Sequence, residues 1–362
     1  MRQRIRVKSI NRVIFWAIGV IIVTVVVIAG GFFLFSILTE YHPAPIEPVS
    51  VTETTSQQIG TTTSFSVITW NLGYGGLGSE MDFFYDGGKN VHPEKSYFEQ
   101  SISGIGNFLK ENDTVDFFLL QEVDRNSKRS YYLDEVGWLK TLLPGFCISY
   151  ATNYNCRFVP IPPTQPMGRV TSGLVTCSRY YPDEVTRYGF DKHFRWPDRL
   201  FYLKRCFIVS RYSLPDGHQL VMINIHNSAF DTGGVLRTRE MEMIRAFMFS
   251  EYKAGNYLIA GGDWNANPPG FNPEVIKTGD LIKLDDFPEL STYFPGWEFA
   301  YDPKHPTNRD VNSPYEHGAT PVTIIDFFLV SPNIKVLEIQ TFKTGFDQSD
   351  HQPVFLQIAI HP

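Results

Sequence analysis

The sequence predicts an α/β fold that follows a single membrane-spanning helix at the N-terminus. An uncharged apolar run covers residues 13–38, and from residue 65 onward apolar strand-like segments alternate with segments of helical period. Polar residues that can carry chemistry recur where those strands end. A sandwich of two sheets would gather such residues along one edge.

The chain begins with a basic tail over residues 1–12 that contains no acidic residue. The whole chain carries a net charge of −6, but without the five basic residues of the tail 27 Lys and Arg face 38 Asp and Glu. That excess does not indicate a general polyanion binder, although a bound metal ion reverses the local field and keeps a nuclease open. The tail residues are Arg2, Arg4, Arg6, Lys8 and Arg12.

The apolar run over residues 13–38 is long enough to cross a bilayer, which takes about 20 residues in a helix. A cleaved secretory signal has an apolar stretch of only about 7–15 residues. Ala29-Gly30-Gly31 could be a cleavage site, but apolar residues continue beyond it, which favours a signal anchor. The basic flank predicts a cytoplasmic N-terminus and places everything after Thr39 outside the cytoplasm.

Residues 39–64 are rich in Pro, Thr, Ser and Gln and lack apolar periodicity, so we expect a flexible linker. A linker of that length spans roughly 25–30 Å and would hold the domain near the bilayer. In an exported domain the four cysteines permit disulfides, and Cys147 and Cys156 are close enough in sequence to close a small loop. Cys177 and Cys206 fall in strand-like segments that suit core residues.

Residues 65–362, with 43% hydrophobic residues in the chain as a whole, are predicted to form the catalytic domain. We expect strands over residues 65–70, 115–120, 173–178, 200–210, 219–225, 257–260, 322–330 and 354–360, and helices over 96–110 and 235–252. Two insertions, the aromatic and glycine-rich 74–98 and the proline-rich 151–171, are either the rim of a cleft or ordinary surface loops.

Two residues near the first strands suit a metal site. Glu122 follows a fully apolar strand, where a carboxylate needs a partner, either a hard cation or an Arg or Lys. Asn71 ends the preceding strand and can orient Glu122, supply an oxygen ligand, or simply form a turn.

Three further candidates follow later strands. Asp263 and Asn265 stand two residues apart after a Gly-Gly pair, which suits either a site or a tight turn. His226 ends an apolar strand and could donate a hydrogen bond to a phosphoryl oxygen, although an isolated histidine is more often structural.

The C-terminal part supplies a histidine and two aspartates. Asp326 lies among large apolar residues and needs a partner, which the adjacent pair Asp350-His351 offers. A carboxylate that holds one imidazole nitrogen fixes the tautomer and raises the basicity of the other nitrogen. His351 is therefore the best candidate for a general base.

The ordered motifs Asn, Gln-Glu, His, Asp-x-Asn, Asp and Ser-Asp-His resemble those of the endonuclease/exonuclease/phosphatase superfamily over about 300 residues from Phe65. The resemblance implies a four-layered α/β sandwich with the active site at one sheet edge. It also implies Mg²⁺, with Mn²⁺ as a substitute, near Asn71 and Glu122, and Asp350 supporting the metal or His226.

The same resemblance implies roles for the remaining residues. His351 and Asp326 would form the acid–base pair, and Asp263 would orient the attacking water or assist as base. His226 and Asn265 would stabilise the pentacovalent state at phosphorus.

We therefore predict a membrane-anchored, extracytoplasmic, Mg²⁺-dependent phosphodiesterase with no evident obligate protein partner. A lipid head group is favoured as substrate by the short linker and by the aromatic residues Phe83, Phe84 and Tyr85, which could enter the bilayer interface. A nuclease is the alternative, because residues 187–205 interleave basic and aromatic side chains. A phosphomonoesterase and a catalytically inactive binding module are further alternatives.

Overall fold

The structure, a computed structural model, describes residues 2–52, 55–191, 194–229, 231, 233–276, 282 and 290–360. Its helices are α1 (Arg2–Leu38), α2 (Lys95–Glu111), α3 (Glu135–Leu142) and α4 (Val235–Lys253). Its first eight strands are β1 (Ile46–Pro48), β2 (Val51–Thr52), β3 (Ser64–Asn71), β4 (Phe117–Asp124), β5 (Cys147–Val159), β6 (Gly168–Ser178), β7 (Glu184–Gly189) and β8 (Cys206–Ser213). The others are β9 (Gln219–His226), β10 (Tyr257–Asp263), β11 (Glu298–Ala300), β12 (Asn308–Arg309), β13 (Val322–Thr323), β14 (Asp326–Val330), β15 (Ile334–Thr341) and β16 (Val354–Ile360).

Two mixed seven-stranded sheets form the centre of the fold. The first sheet has the order β1-β7-β8-β9-β10-β14-β11, and the second has the order β15-β16-β3-β4-β6-β5-β2. Within each sheet one parallel pair, β9 with β10 and β3 with β4, brings two carboxyl ends to the same edge. The strands that carry the candidate residues are therefore central in both sheets.

The hydrophobic core lies in three layers. Apolar residues of both sheets, such as Val67, Leu119 and Ile259, pack between the sheets. Helix α4 covers the outer face of the first sheet, and α2 and α3 cover the outer face of the second. The arrangement is an α/β sandwich of four layers, which confirms the predicted fold class.

Helix α1 contains the apolar run. Its segment Arg12–Leu38 has 27 residues, a mean hydropathy of 2.9, and a most apolar stretch that is not buried by the rest of the protein. It is long and apolar enough to cross a membrane, as predicted.

The segment predicted as a flexible linker differs from that prediction. Strand β1 pairs with β7 and strand β2 pairs with β5, so each adds an edge strand to one of the two sheets. Glu40 is buried and forms an ion pair with Lys204 at 2.9 Å. Because short edge strands need few apolar residues, no periodic signal in the sequence indicates them.

The cysteines are all buried and unpaired. Cys147 and Cys156 stand nine residues apart on one extended strand, β5. At about 3.3 Å per residue their Cα atoms are roughly 30 Å apart, far beyond the ~7 Å limit of a disulfide. The disulfide that their spacing permitted is therefore excluded.

The two segments predicted as insertions pack against each other, although residues 151–159 of the second belong to β5 and residues 168–171 to β6. The Tyr85 hydroxyl donates to the carbonyl of Ile161 at 2.8 Å, and Phe83, Phe84 and Tyr85 pack on a cluster that includes Tyr154 and Met167. These three aromatic residues are half-buried against the protein itself, and their entry into a bilayer interface stays a prediction. The two segments form a wall beside the sheet edge.

Candidate active site

Three candidate residues are neighbours at the end of the first sheet. In the β9–β10 pair His226 lies opposite Asp263, and in the β10–β14 pair Asp263 lies opposite Asp326. The three side chains are buried. Strand pairing alone therefore brings together residues 37 and 63 positions apart in sequence.

The second sheet contributes Asn71 and Glu122. Asn71 pairs with Gln121, and a β-bulge separates Leu120 from Val123. At the bulge Glu122 has φ 52°, a left-handed conformation that is uncommon for a residue other than glycine. The bulge turns Glu122 toward the first sheet, where its Oε1 lies 3.9 Å from Nε2 of His226.

Gln121 has a different environment from Glu122. Its amide nitrogen donates to Oδ1 of Asn224 at 2.8 Å and to the carbonyl of Leu119. Asn224 lies on β9, so this buried amide pair links the two sheets. Gln121 acts as a structural connection.

His351 and Asp326 form a hydrogen-bonded pair. Nδ1 of His351 lies 2.8 Å from Oδ2 of Asp326, and the hydroxyl of Thr307 accepts the backbone N–H of Asp326 at 3.0 Å. The indole of Trp70 donates to the carbonyl of His351 at 2.9 Å. These contacts fix the imidazole so that Nε2 faces the other site residues.

The charges around His351 favour its protonated form. Burial lowers the pKa of His351, but the neighbouring carboxylates Asp326, Asp350 and Asp263 outweigh burial and raise this pKa well above its usual value. Nε2 of His351 lies 3.7 Å from Oδ2 of Asp263 and 3.8 Å from Oδ2 of Asp350. His351 is therefore a strong base.

Asp263 lies between the two histidines. Its Oδ2 accepts the amide of Asn71 at 3.0 Å and lies 3.3 Å from Nε2 of His226. Its Oδ1 accepts the backbone N–H of Asn265 at 3.0 Å. One carboxylate thus connects four of the candidate residues and both sheets.

His226 is held in its neutral form. Burial lowers its pKa well below the usual value, and the positive charge of Arg205 adds to this effect. Nδ1 of His226 is buried and has no hydrogen-bond partner among the described residues. A neutral imidazole here keeps one N–H donor for a ligand.

Asn265 adopts a left-handed conformation, with φ 49°. Its side-chain amide nitrogen donates to the backbone carbonyl of Asn227 at 2.9 Å. Its backbone carbonyl accepts from Nη1 of Arg237 at 2.7 Å. These bonds hold the side chain beside Asp263, and the amide keeps a second N–H for a ligand.

Several carboxylates share the other side of the site. Burial raises the pKa of both Glu122 and Asp350. Burial and the neighbouring carboxylates Asp350, Asp310 and Glu122 also raise the pKa of Asp86 to about 7. Asp86, from the first insertion, had no motif in the sequence that could identify it.

The donor set fits a hard divalent cation. The side chain of Glu122 is 24% exposed and lies no nearer than 3.9 Å to Arg129 and to His226, so its carboxylate is left without a close ion pair. The donors on this side are carboxylate and amide oxygens, which Mg²⁺ and Mn²⁺ prefer. A second compact group, Asp263, Asp326 and His351, has ligand atoms within 4.8 Å of one another, but two of its members are already bonded to each other.

Besides Asp86, three further side chains near the site were not predicted to belong to it. Asn308 has its amide nitrogen 3.0 Å from Nε2 of His351. Arg129 binds Asp124 at 2.9 Å and stacks 3.7 Å from the ring centroid of Tyr74, close to Glu122. The sequence offered no signal for either residue, because both come from loops and short elements next to unremarkable residues.

Arg205 is the third, and the sequence had suggested nucleic-acid contact for it instead. Its side chain is buried, its Nη1 has no hydrogen-bond partner among the described residues, and burial lowers its pKa. The charges that oppose this shift come from Glu122, Asp263 and Glu240, which places the guanidinium beside the site.

The comparisons with known proteins identify the family and the fold. The model of the Endonuclease/Exonuclease/phosphatase family matches residues 68–351. No curated protein sequence matches the chain significantly. Among solved structures, an endonuclease/exonuclease/phosphatase from Beutenbergia cavernae has 16% identity and a TM-score of 0.52, over 83% of this chain and 72% of that one.

Two further structures show the same fold. TDP2 from Caenorhabditis elegans has 14% identity and a TM-score of 0.52, covering 82% of this chain and 74% of that one. ANGEL2, described as a 2′,3′-cyclic phosphatase, has 16% identity and a TM-score of 0.52, covering 86% and 98%. At these identities the likeness concerns the fold alone.

Proposed function

This chain belongs to the endonuclease/exonuclease/phosphatase family of phosphate-ester hydrolases, and we propose that it is a membrane-anchored phosphodiesterase that acts on a lipid head group. The observation that carries the proposal is the group of buried side chains where the two sheets meet. There His351, paired with Asp326, faces Asp263 across 3.7 Å.

We assign Asn71, Glu122 and Asp350 to the metal site, with Mg²⁺ as the metal and Mn²⁺ as its substitute. A bound divalent cation polarises the phosphoryl group and offsets the charge that develops on it. Two of the oxygen donors lie on adjacent strands of the second sheet and the third comes from the C-terminal loop, so the fold holds them in place before substrate binds.

The chain's own residues supply the acid–base chemistry. Neutral His351 accepts through Nε2 a proton from the attacking water, while Asp326 holds Nδ1 and stabilises the imidazolium that forms. Asp263 lies between both histidines and orients that water for in-line attack on phosphorus.

Donors on the other side of Asp263 bind the phosphoryl oxygens. His226 is neutral and donates one N–H, and Asn265 donates the amide hydrogen that Asn227 does not use. The guanidinium of Arg205, buried and with Nη1 unpartnered, adds a positive charge. Together they stabilise the negative charge of the pentacovalent state.

The basic stretch that favoured a nuclease supports that alternative less well in its folded form. Arg187 is 2% exposed and donates to the carbonyls of Thr152, Ala44 and Lys204. Lys204 is also buried, and Lys192 lies outside the described residues. Arg195 and Arg199 are exposed, but the buried cations Arg187, Lys204 and Arg205 cannot track a phosphate backbone, so we retain the lipid head group as the substrate.

Helix α1 supports the proposed location. It is long and apolar enough to span a bilayer, and the basic residues before it favour a cytoplasmic N-terminus with the catalytic domain outside. Protease added to intact cells should then degrade the catalytic domain and spare an epitope placed before Arg2.

The substrate is tested with full-length protein in phosphatidylcholine vesicles. Release of choline phosphate from sphingomyelin is measured beside nicking of a plasmid, each with Mg²⁺ and with excess EDTA. We expect the wild type to release choline phosphate in a Mg²⁺-dependent manner without nicking the plasmid. His351→Ala should lose the choline phosphate release. Nicking without lipid hydrolysis would make the protein a nuclease and overturn the proposed substrate.

A further inference from the structure

Four large apolar side chains form one exposed patch on the catalytic domain. Phe158 lies at the end of β5, Ile161 in the loop that follows it, and the other two in the loop before β8. We call these four residues the aromatic rim: Phe158 (40% exposed), Ile161 (44%), Trp196 (61%) and Tyr202 (38%). Other large apolar side chains that the described part of this domain exposes, such as Val275 and Leu337, belong to different elements. A grouped exposed patch indicates a binding surface.

Helix α1 touches this patch directly. The ring of Phe32 stacks on Phe201 at 5.9 Å with an interplanar angle of 5°, and meets Phe158 edge-on at 6.1 Å. Ser36, one turn further along the helix, is also buried. The rim therefore lies at the level of Phe32 along the helix axis.

The length of α1 gives the depth of that level. A hydrocarbon core about 30 Å thick takes about 20 helical residues. Counted from Arg12, whose charge stays at the opposite interface, such a span ends near Phe32. The six residues from Phe33 to Leu38 then lie in the head-group region. The rim is thus placed at the border between acyl chains and head groups.

The domain is fixed against the end of this helix. The chain leaves α1 at Leu38, and Glu40 binds Lys204 at 2.9 Å and lies 3.5 Å from Arg199. Strand β1 then pairs with β7. Because Lys204 and Arg199 belong to the loop that carries Trp196 and Tyr202, helix and rim hold one orientation.

The rim is continuous with the wall of the active site. Phe201 and Leu203 pack on the cluster that also receives Phe83, Phe84 and Tyr85 of the first insertion. Arg205, which lies beside the site, follows Phe201 by four residues, at most about 14 Å of extended chain. A head group at the bilayer surface is thus close to the catalytic residues.

We propose that the aromatic rim is a membrane-docking surface, seated in the interface of the bilayer that α1 crosses, so that the substrate enters the site from that bilayer. This proposal rests on the proposed membrane anchoring. Tyrosine and tryptophan favour this depth, where the ring is in an apolar layer and its polar atom reaches water.

Depth-dependent quenching tests the docking without using activity. Full-length protein is placed in phosphatidylcholine vesicles whose lipids carry bromine near the head group. Trp16→Phe removes the tryptophan of α1. Of the other tryptophans, Trp70, Trp264 and Trp297 are buried in the domain and Trp138 is half-buried on α3, which covers the second sheet, so Trp196 is the exposed one. We expect brominated lipid to quench the tryptophan fluorescence of the Trp16→Phe variant. In the double variant Trp16→Phe/Trp196→Phe this quenching should be absent. Equal quenching of both variants, or none in Trp16→Phe, would overturn the docking surface.

Activity tests its consequence. Ile161→Glu and Trp196→Glu place a charge in the interface, so hydrolysis of vesicle sphingomyelin should fall about tenfold while a soluble phosphodiester, bis(p-nitrophenyl) phosphate, is cleaved normally. Leu337→Glu, on edge strand β15 of the second sheet, is the control and should change neither rate. Similar losses in the control would contradict the proposal.

Failure of the proposed function gives a different pattern. A wild-type protein that cleaves the soluble phosphodiester but no vesicle lipid would refute the lipid substrate, and quenching of Trp196 would still decide whether the rim docks. Quenching that fails in a protein that cleaves vesicle lipid would refute the rim alone.

Discussion

At the scale of single residues, His351 is the general base that we propose. Its Nδ1 is bonded to Asp326 at 2.8 Å, and its Nε2 faces Asp263, Asp350 and the amide of Asn308. Since Asp326 can act on water only through the imidazole, the two residues form one functional unit.

We therefore expect His351→Ala and Asp326→Asn to have overlapping effects. Loss of a general base costs typically 10²–10⁴-fold, so His351→Ala should lower turnover by at least about 10²-fold, and Asp326→Asn by a large part of that factor. The double variant should be little worse than the worse single variant. Turnover of a soluble phosphodiester at saturating Mg²⁺ measures all three, once circular dichroism confirms that each is folded. Losses that multiply would mean independent roles and would make Asp263 the next candidate base.

The same pair predicts a shift in pH dependence. Burial lowers the pKa of His351, and Asp326 is the strongest of the carboxylates that raise it. Only neutral His351 accepts a proton, so activity should rise as pH passes its raised pKa. Asp326→Asn removes a negative charge and lowers that pKa, which should move the acidic limb of kcat/KM to lower pH. An acidic limb that stays in place or moves to higher pH would contradict this assignment.

The placement of the candidate residues was predictable because most of them end strands. His226, Asp263 and Asp326 become neighbours through strand pairing that the apolar pattern indicates. The left-handed backbone of Glu122, the neutral state of His226 and the position of Asn308 depend on packing, which a single sequence does not reveal. The catalytic and metal-binding roles themselves stay predictions.

At the scale of elements, β10 depends on a glycine. Gly262 has φ 149°, and a Cβ there would lie 1.9 Å from the carbonyl oxygen of Ile225 on β9. That contact is with backbone in the centre of the first sheet, so it cannot relax by a side-chain rotation.

Gly262→Ala should therefore disturb the β9–β10 pair that positions His226 and Asp263. We expect a loss of more than about 3 kcal/mol in unfolding free energy, which is diagnostic of such backbone strain. Gly60→Ala is the matched control, since nothing lies within 4 Å of its added Cβ. Urea denaturation of both variants measures the difference, and equal stability would show that β9 and β10 can separate without cost.

The docked segment after α1 makes a second prediction at this scale. Glu40 and Lys204 have side chains only 4% and 5% exposed and bind at 2.9 Å. Lys204→Met leaves the buried carboxylate poorly compensated and should cost about 3 kcal/mol. Adding Glu40→Gln to Lys204→Met should recover part of this loss, because no uncompensated charge remains. Thermal unfolding of the wild type, the single variants Lys204→Met and Glu40→Gln, and the double variant completes the mutant cycle. A stability loss in the double variant equal to the sum of the losses in the two single variants would argue against the ion pair.

Element prediction succeeded where apolar periodicity was long and failed where it was short. The helices predicted over residues 96–110 and 235–252 are α2 and α4, each within one residue at either end. The strand predicted over 322–330 is divided into β13 and β14, because residues 324 and 325 leave the first pairing before Asp326 joins the next. Strands β1 and β2 were missed because they form only by pairing with the edges of the two sheets. Those edges exist only in the tertiary structure.

At the scale of the whole molecule, anchor and site are parts of one arrangement. Helix α1, the aromatic rim and the insertion wall lie next to one another on the way to Arg205 and the site, and in the proposed orientation this path begins at the bilayer. The sequence predicted the anchor and the domain separately, and the contact of Phe32 with Phe158 and Phe201 joins them.

The central claim is that a divalent metal held by Glu122 and its neighbours is required for phosphodiester hydrolysis. The most direct measurement is the dependence of turnover on Mg²⁺ or Mn²⁺ concentration for wild type and Glu122→Gln, with a soluble phosphodiester and Glu274→Gln as an exposed control. We expect no wild-type turnover in EDTA, recovery with either metal, and at least about tenfold more metal required by Glu122→Gln alone. Full activity in EDTA, or an unchanged metal requirement in Glu122→Gln, would contradict the account.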